Sequence, residues 1–230
     1  MKFLAIIPAR KNSKRLKNKN LLPINGKPLI CWTIEESLKS KYISNTLITS
    51  DWDEVITLAK EYNLEYIKRP NNLAKDDSTS EQLINHILET YTSINKYDYL
   101  VLLQPTSPLR TKDDIDNAIK KVLQENANSL ISVYKYDNKI LKAFIEKDGS
   151  IKGICNDFYP FQCKQSLPDV FMSNGAIYIV KIEDFIKYNS FYIPKVISYE
   201  MSEQNSIDID TIEDLIIAEN IMKGTEIGEK

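Results

Sequence analysis

The 230-residue sequence predicts an α/β fold with three layers, in which helices cover both faces of a mostly parallel sheet. Two patterns carry this prediction. Short runs of consecutive apolar residues recur along the chain, and such runs are typical of strands buried on both faces. Between them lie segments in which apolar residues recur every three or four positions, which indicates helices with one buried face. Because strands alternate with helices, we expect parallel pairing through helical crossovers.

The alternation can be followed along the sequence. Residues 2–9 form the first predicted strand, an apolar run that ends where a basic loop begins. The other predicted strands are 45–50, 64–68, 97–103, 129–136, 176–180 and 207–209. The predicted helices are 28–39, 53–62, 79–91, one that opens at Thr111, 183–188 and 211–222. Thr111 and Asp114 have the spacing of a capping box, which favours a helix start at that point.

One stretch interrupts this rhythm. Residues from about 135 to 171 do not alternate regularly between strand and helix, and we interpret them as a small lobe inserted into a single domain, residues 1–222. No internal repeat or low-complexity linker suggests a second domain. Residues 223–230 are polar, and we expect them to form a frayed C-terminal tail.

The composition narrows the chemistry. The chain has one histidine, His86, which argues against His-based metal sites and Ser-His-Asp triads. Three cysteines, at 31, 155 and 163, lack metal-binding spacing, so we expect reduced thiols in a cytoplasmic protein. No apolar run approaches the roughly 20 residues of a membrane span, and no signal peptide or membrane partner is expected. Carboxylates, lysines, arginines, amides and metals remain as the candidate reactive groups.

Charge is unevenly distributed along the chain. The net charge is −2, yet no acidic residue precedes Glu35, whereas eight lysines and arginines lie in that segment. Most of them fall in the loop after the first strand, which can aim backbone N–H groups and cationic side chains at phosphates. The loop lacks the glycines of a Walker or dinucleotide-binding motif. Charge alone therefore fits a phosphate site and a solvated basic loop equally well.

Two aspartates near the end of the chain form the second candidate feature. Asp208 and Asp210 are separated by one residue on a predicted strand, so both side chains should point to one face while Ile207 and Ile209 point into the core. Paired carboxylates suit a hard cation such as Mg²⁺. Acidic residues also stabilise the start of a following helix. The residues by themselves favour neither interpretation.

Five sequence blocks together resemble the acylneuraminate cytidylyltransferase family, which makes CMP-activated sialic acids and their relatives. In chain order, the blocks are IPARKNSKRLKNKN at 7–20, RP at 69–70, LQPTSPLR at 103–110, SNGAIY at 173–178 and SIDIDT at 206–211. The resemblance implies a Rossmann-like nucleotidyltransferase fold. It also implies transfer of CMP from CTP to the anomeric 2-hydroxyl of a nonulosonic acid, an acidic nine-carbon sugar, with release of pyrophosphate and with Mg²⁺ as cofactor.

The resemblance also assigns roles to individual residues. The residues implied for CTP are Arg10, Ser13, Lys14, Lys19, Asn20, Arg69 and Ser80, with the stretch 77–80 near the cytidine. The residues implied for the sugar are Gln104, Thr106, Ser107, Lys142, Lys164 and Asn174. Asp208 and Asp210 are implied as metal ligands. The implied catalytic set is Arg10, Lys19, Gln104 and Asp210.

The chain departs from its relatives at positions implied to read the sugar. Lys164 stands where relatives usually have arginine, and Met172-Ser173 stands where Arg-Pro is common. A sialic, legionaminic or pseudaminic acid is therefore an equally good acceptor. A cytidylyltransferase for 3-deoxy-manno-octulosonate is the nearest alternative. A non-catalytic nucleotide- or RNA-binding module is disfavoured, because the aspartates would repel phosphates without a cation, and we expect no nucleic-acid partner.

The resemblance finally implies an assembly. Relatives are commonly homodimers in which the inserted lobe reaches the partner's site. The aromatic residues Phe158, Tyr159 and Phe161 lie in this lobe and could form that contact or a local core. We therefore expect a homodimer.

Overall fold

The structure is a computed structural model that describes residues 1–11, 13–75 and 78–224. The strands are β1 (Phe3–Ala9), β2 (Pro23–Ile24), β3 (Lys27–Pro28), β4 (Ile43–Ser50), β5 (Glu65–Lys68), β6 (Tyr99–Leu103), β7 (Ser129–Tyr136), β8 (Phe144–Lys147), β9 (Ser150–Gly153), β10 (Val170–Lys181) and β11 (Val196–Glu200). The helices are α1 (Leu29–Lys39), α2 (Asp53–Glu61), α3 (Ser80–Thr90), α4 (Lys112–Glu125), α5 (Ile182–Tyr188) and α6 (Ile212–Met222). Among these described residues, no helix is both long and apolar enough to cross a bilayer.

One large sheet organises the chain. Within the described residues it has seven strands in the order β11-β7-β10-β6-β1-β4-β5. β10 runs antiparallel to both of its neighbours, β6 and β7, while the other pairs of neighbouring strands are parallel. The prediction of a mostly parallel sheet is confirmed. Its parallel strands bring the carboxyl ends of β1, β4 and β6 to the same edge, where ligands bind in sheets of this kind.

Side chains of the central strand alternate between two helical layers. Ala5 and Ile7 of β1 belong to a buried cluster that also contains side chains from α1, α2 and α4. Leu4 and Ile6 belong to the cluster on the opposite face, which contains side chains from α3 and α5. This alternation follows from the two-residue period of a strand. Helices therefore cover both faces, and the three-layer prediction is confirmed.

A third, smaller cluster lies beside the sheet and joins distant parts of the sequence. Its buried members are Leu16, Ile24, Leu29, Ile209 and Ala218. They come from the loop after β1, the short β2–β3 hairpin, α1, the segment before α6, and α6 itself. Burial of these side chains brings the basic loop and the segment with the two aspartates together.

The prediction of a strand at 207–209 is wrong. Residues 207–210 form no strand in the described chain, and the Ile209 N–H donates instead to the Thr106 carbonyl at 2.8 Å. The alternation of isoleucine and aspartate resembles a strand because Ile209 is buried and its neighbours are not. The edge position is taken by β11, a strand that the sequence analysis did not assign. Its alternating, partly exposed residues give only a weak apolar signal.

The strand predicted at 176–180 is part of a much longer one. β10 begins at Val170 and ends at Lys181, and its register with β7 shifts between Ser173 and Tyr178. Gly175 lies in this irregular section with a φ of +73°, a conformation that favours glycine. β7 ends at Tyr136, as predicted, so the excursion predicted at about 135–171 spans residues 137–169 and contains the β8–β9 hairpin.

The packing of α5 gives a direct test of the second cluster. Phe185 is fully buried, whereas its neighbour Ile186 is 65% exposed. We expect Phe185→Ala to lower the free energy of unfolding by about 3–5 kcal/mol, because it removes a buried ring and leaves a cavity. The matched Ile186→Ala change should stay within about 0.5 kcal/mol. Urea unfolding followed by circular dichroism measures both, and equal effects would contradict this arrangement.

Candidate functional site

The basic loop leaves the carboxyl end of β1 and is shaped by its own hydrogen bonds. The backbone N–H of Lys11 donates to Asp51 Oδ1 at 3.0 Å, which ties the loop to the end of β4. Asn20 Nδ2 donates to the Arg10 carbonyl at 3.4 Å, so the two ends of the loop lie close together. A turn at Asn18, with a φ of 56°, leads into a short 3₁₀ helix, Lys19–Leu21. The loop therefore has a defined shape that can hold cationic groups in place.

A cavity of about 350 Å³ opens above the carboxyl ends of β1 and β6. It brings together many of the predicted site residues, namely Arg10, Ser13, Lys19, Asn20, Arg69, Ser80, Gln104, Thr106 and Asp208. Arg10, Lys19 and Arg69 contribute positive charge, and among the described residues Asp208 is the carboxylate on its wall. A cleft lined mainly by one sign of charge attracts the opposite sign. The charge of this cavity therefore suits an anion.

A second cavity of about 630 Å³ adjoins the first. Gly175, Tyr178 and Asp208 line both cavities, so these residues form the boundary between them. The second cavity is also lined by Tyr134, Ser173, Asn174, Glu203, Ser206, Ile207 and Asp214. Its wall carries hydroxyls, an amide and carboxylates in place of the cations of the first cavity. The two compartments therefore suit two chemically different ligands that meet at Asp208 and Gly175.

The two aspartates have different surroundings. Asp210 accepts hydrogen bonds from Lys19 Nζ at 2.9 Å and from Arg15 Nη1 at 2.6 Å, which engage both of its carboxylate oxygens. Burial opposes ionisation of Asp210, but these two cations more than offset it and hold its pKa below the usual value. Asp208 lies on the wall of both cavities and is exposed there. The protein around it still desolvates the carboxylate and raises its pKa, which a hydrogen bond from Thr106 and the charge of Lys19 only partly offset.

Arg69 is a buried cation at the wall of the first cavity. It is 7% exposed, and its backbone N–H donates to the Ser50 carbonyl at 2.8 Å, which fixes the chain where β5 ends beside β4. Its Nε and Nη2 atoms have no hydrogen-bond partner among the described residues. Desolvation lowers its pKa, and the nearby Asp51 counteracts this. Unsatisfied buried donors at a cavity wall indicate where an acceptor atom of a ligand would fit.

Asn174 lines the second cavity, but its amide is held within the protein. Its Oδ1 accepts from Ser132 Oγ at 2.5 Å and from the Ala176 N–H at 3.1 Å. Its Nδ2 donates to Ser206 Oγ at 2.9 Å. The amide thereby joins β7, β10 and the segment that leads to Asp208.

Several predicted residues lie outside these two cavities. Lys14 and the buried Ser107 do not line either one, and Asp210 contacts the first cavity only through Lys19. Lys142 and Lys164 lie in the excursion between β7 and β10, where Lys164 Nζ pairs with Asp137 Oδ1 at 3.1 Å. Residue 77, predicted to lie near the cytidine, is outside the described residues.

Sequence reasoning also missed part of the site. Gly175 and Tyr178 belong to the SNGAIY block of the resemblance, but no role was assigned to them; the glycine that follows Ser173-Asn174 was the available signal. Tyr134 lies near the end of a correctly predicted strand. Glu203 lies in the irregular segment before the aspartates, and no sequence pattern marked it. Ser206 begins the SIDIDT block, but no role was assigned to it.

The unpartnered donors of Arg69 lead to a prediction about the stability of the protein. Arg69→Met removes buried donors that have no partner among the described residues, so we expect the free energy of unfolding to stay level or rise by up to about 2 kcal/mol. The adjacent Lys68→Met change removes an exposed ion pair, Lys68 Nζ to Asp53 Oδ1 at 2.7 Å, and should cost less than about 1 kcal/mol. Chemical unfolding compares the two, and a large loss in Arg69→Met would contradict this view of the site.

Comparison with known proteins identifies the family. Residues 4–151 match the family model described as Cytidylyltransferase. The chain is 32% identical to the N-acylneuraminate cytidylyltransferase of Escherichia coli over 225 residues, which cover 96% of this chain and 52% of the relative, so the chain spans about half the length of that protein. It is 29% identical to the pseudaminic acid cytidylyltransferase of Campylobacter jejuni over 225 residues, with 97% of each chain covered.

A solved structure confirms the fold. The chain superposes on a CMP:2-keto-3-deoxy-manno-octonic acid synthetase complexed with CTP, with a TM-score of 0.72, 15% identity and coverage of 98% of this chain and 100% of the other. At this identity the likeness concerns the fold alone. The family model, by contrast, matches more than half of the sequence and includes the basic loop, Arg69, Gln104 and Thr106. The chain therefore belongs to the cytidylyltransferase family.

Proposed function

We propose that the chain transfers CMP from CTP to the anomeric 2-hydroxyl of a nonulosonic acid and releases pyrophosphate. The observation that carries this proposal is the pair of adjoining cavities, one cationic and one lined by hydroxyls, an amide and carboxylates, which share Asp208 and Gly175. The names of the E. coli and C. jejuni relatives support this class of acceptor. The exposed thiols of Cys155 and Cys163 suit a reducing compartment, and we propose that the reaction takes place in the cytoplasm.

The first cavity is suited to CTP. Arg10 can bond two phosphate oxygens at once, while Lys19 acts as a compact positive charge. Arg69 offers unpartnered donors on another side of the same cavity. Ser80 begins α3 at this wall, after a capping box in which Thr79 Oγ1 accepts from the Gln82 N–H at 3.2 Å. We assign the phosphates to the basic loop and the cytidine to the side with Arg69 and Ser80.

The second cavity would hold the acceptor sugar. In the proposed reaction, the 2-hydroxyl oxygen forms a bond to the α-phosphorus while the bond from that phosphorus to pyrophosphate breaks, and the hydroxyl proton passes to solvent. The reacting atoms would meet at the shared wall, where Gln104 and Thr106 face the CTP side and Tyr178 faces both sides. Arg10 and Lys19 would stabilise the negative charge that accumulates on the leaving pyrophosphate. Most of the rate enhancement would then come from positioning and charge neutralisation.

We further propose that Mg²⁺ takes part and that Asp208 and Asp210 hold it. Among the described residues, no group of three or more histidine, cysteine or acidic side chains is arranged around a metal site. Two carboxylates nevertheless fit Mg²⁺, since this ion commonly takes only one or two from the protein and its other ligands from phosphates and water. The desolvated carboxylate of Asp208 would be stabilised by a nearby cation. Asp210 could release Arg15, whose side chain is 71% exposed, and hold the cation in its place. When bound, Mg²⁺ would polarise phosphate oxygens and offset their charge.

A panel of acceptors tests the reaction directly. Pyrophosphate release from CTP is measured with sialic, legionaminic and pseudaminic acids and with 3-deoxy-manno-octulosonate, each with and without Mg²⁺. We expect turnover with at least one nine-carbon acid, only in the presence of Mg²⁺. Turnover only with the eight-carbon acid, or only with another nucleoside triphosphate, would contradict the proposal.

The Asp208→Asn variant tests the role of this carboxylate in the same assay. Because it removes a carboxylate from the shared wall, we expect kcat to fall by about 100-fold or more. Asp98→Asn is the control: Asp98 accepts from the Lys2 N–H at 2.7 Å, near the amino ends of β1 and β6, at the sheet edge opposite the cavities. The kcat of Asp98→Asn should stay within about twofold of the wild type, because this change is remote from the side chains that line the cavities. An active Asp208→Asn enzyme would exclude the proposed role of Asp208.

We also propose that the chain acts as a homodimer through the excursion 137–169. This segment exposes large apolar side chains, including Phe158 at 76% and Phe161 at 81%. Exposed apolar groups concentrated on one projecting segment are typical of interaction surfaces. Lys142 and Lys164 lie on the same segment, outside the cavities of their own chain, and a partner could receive them.

Light scattering after gel filtration tests the assembly. We expect the wild-type protein at twice the chain mass of 26.5 kDa. Phe158→Ser combined with Phe161→Ser should shift it towards the monomer, because the change removes apolar area from the proposed interface. Ile186→Ser, at a 65% exposed position on α5, is the control and should leave the mass unchanged. A monomeric wild-type protein would refute the dimer but leave the transfer reaction standing.

A further inference from the structure

Arg110 is a fully buried cation, 1% exposed, that lies behind the cavities. Its Nη1 donates to the Gln104 carbonyl at 3.1 Å and to the Ala176 carbonyl at 2.7 Å. Its Nη2 donates to Thr33 Oγ1 at 2.6 Å. One guanidinium thus connects the end of β6, the irregular section of β10 and the first turns of α1. These are three elements that the sequence keeps far apart.

The surroundings of Arg110 do not suggest a simple stabilising ion pair. Within the described residues, the atoms that accept its hydrogen bonds are neutral oxygens. Desolvation lowers the pKa of Arg110, and the more distant charges of Asp114 and Glu36 oppose this effect. The resulting pKa is about 10, so the side chain stays protonated at neutral pH. Burying a cation without a carboxylate partner disfavours folding, and apolar replacements of buried ionic groups are often tolerated. What the arginine contributes at this position is therefore its hydrogen bonds to three neutral oxygens, and not an ion pair.

The atoms that Arg110 holds are those that shape the site. Gln104 lines the first cavity, and Gly175, which precedes Ala176, lines both. At the register shift in β10, the Ala176 N–H donates to Asn174 Oδ1 at 3.1 Å and the Ile177 N–H donates to Ser132 Oγ at 2.8 Å. Arg110 adds the bond to the Ala176 carbonyl. Both polar groups of the Ala176 backbone are thereby fixed by buried side chains, and the same guanidinium fixes Gln104.

We propose that Arg110 is a positioning residue that sets the place of Gln104 relative to the Gly175 wall between the two cavities. It touches neither proposed substrate and acts through the backbone of both elements. This inference rests on the proposed transfer of CMP, because its catalytic consequence is the alignment of the two substrates at that wall. A displacement of about 1 Å at such a wall can reduce the rate roughly 100-fold.

Arg110→Met and Arg110→Lys test the role. Methionine has a similar length but cannot donate, and lysine keeps the charge but lacks the planar fork that reaches three oxygens. We expect Arg110→Met to lower kcat by about 10- to 100-fold per folded molecule, with the dissociation constant for CTP changed less than about threefold, since the basic loop is untouched. Arg110→Lys should give an intermediate kcat. The control is Ile119→Ala, a fully buried site on α4 outside the cavities, which should lower stability but leave kcat per folded molecule unchanged.

Amide hydrogen exchange followed by NMR provides a readout that needs no activity. We expect exchange at Ala176 and Ile177 to accelerate at least about tenfold in Arg110→Met and by less in Arg110→Lys. The β1 amides should be unchanged, because only the free energy of local opening at the register shift in β10 is altered. Unchanged exchange at Ala176, or wild-type kcat in the folded variant, would overturn the positioning role. If Arg110→Met does not fold, Arg110→Lys decides, and wild-type kcat with wild-type exchange in that variant overturns it. An inactive wild-type protein would instead refute the transfer reaction, and the exchange comparison would still decide whether Arg110 holds β10.

Discussion

The placement of β10 between β6 and β7 is the constraint on which the rest of the molecule depends. Because β10 is antiparallel to both neighbours, it begins at the site edge of an otherwise parallel sheet, beside the carboxyl ends of β6 and β7. The shift in register at Gly175 leaves backbone groups that the sheet does not pair, and the buried side chains of Ser132, Asn174 and Arg110 satisfy them. Buried polar groups must be paired to avoid a large desolvation cost. The same irregularity separates the two cavities, so packing and function depend on one feature.

Electrostatics complete the site from the other side. The third apolar cluster holds the basic loop against the segment with the aspartates, and Lys19 then joins Asp210 across 191 residues of sequence. Cations surround the first cavity, while the carboxylate of Asp208 is left on the boundary with its pKa raised by desolvation. A polyanion and a divalent cation would each offset part of this imbalance. Lys19 and Asp210 are thus paired with each other, while Arg69 and Asp208 present charge to the cavities.

Much of this could be predicted from the sequence, and the failures have identifiable causes. Strands buried on both faces leave continuous apolar runs, and helices buried on one face leave an amphipathic period. These two patterns identified the central strands and most helices. The extended segment at 207–210 was taken for a strand because its isoleucines alternate with aspartates, while the true edge strand β11 is too exposed to give a strong signal. Residues of recognisable blocks, such as Arg69 and Gln104, lie together on the wall of the first cavity, while their roles stay predictions. Glu203 and the network around Asn174 depend on contacts between distant segments, and no local pattern encodes them.

The central claim is that the cavity above the carboxyl ends of β1 and β6 binds the triphosphate of CTP beside the acceptor compartment. A crystal structure of the protein with CTP and Mg²⁺ tests it most directly. The account predicts phosphate oxygens within hydrogen-bonding distance of Arg10 and Lys19, the cytidine on the side of Arg69 and Ser80, and the α-phosphate at the wall formed by Asp208 and Gly175. CTP bound elsewhere, or bound here with its α-phosphate turned away from the second cavity, would contradict it.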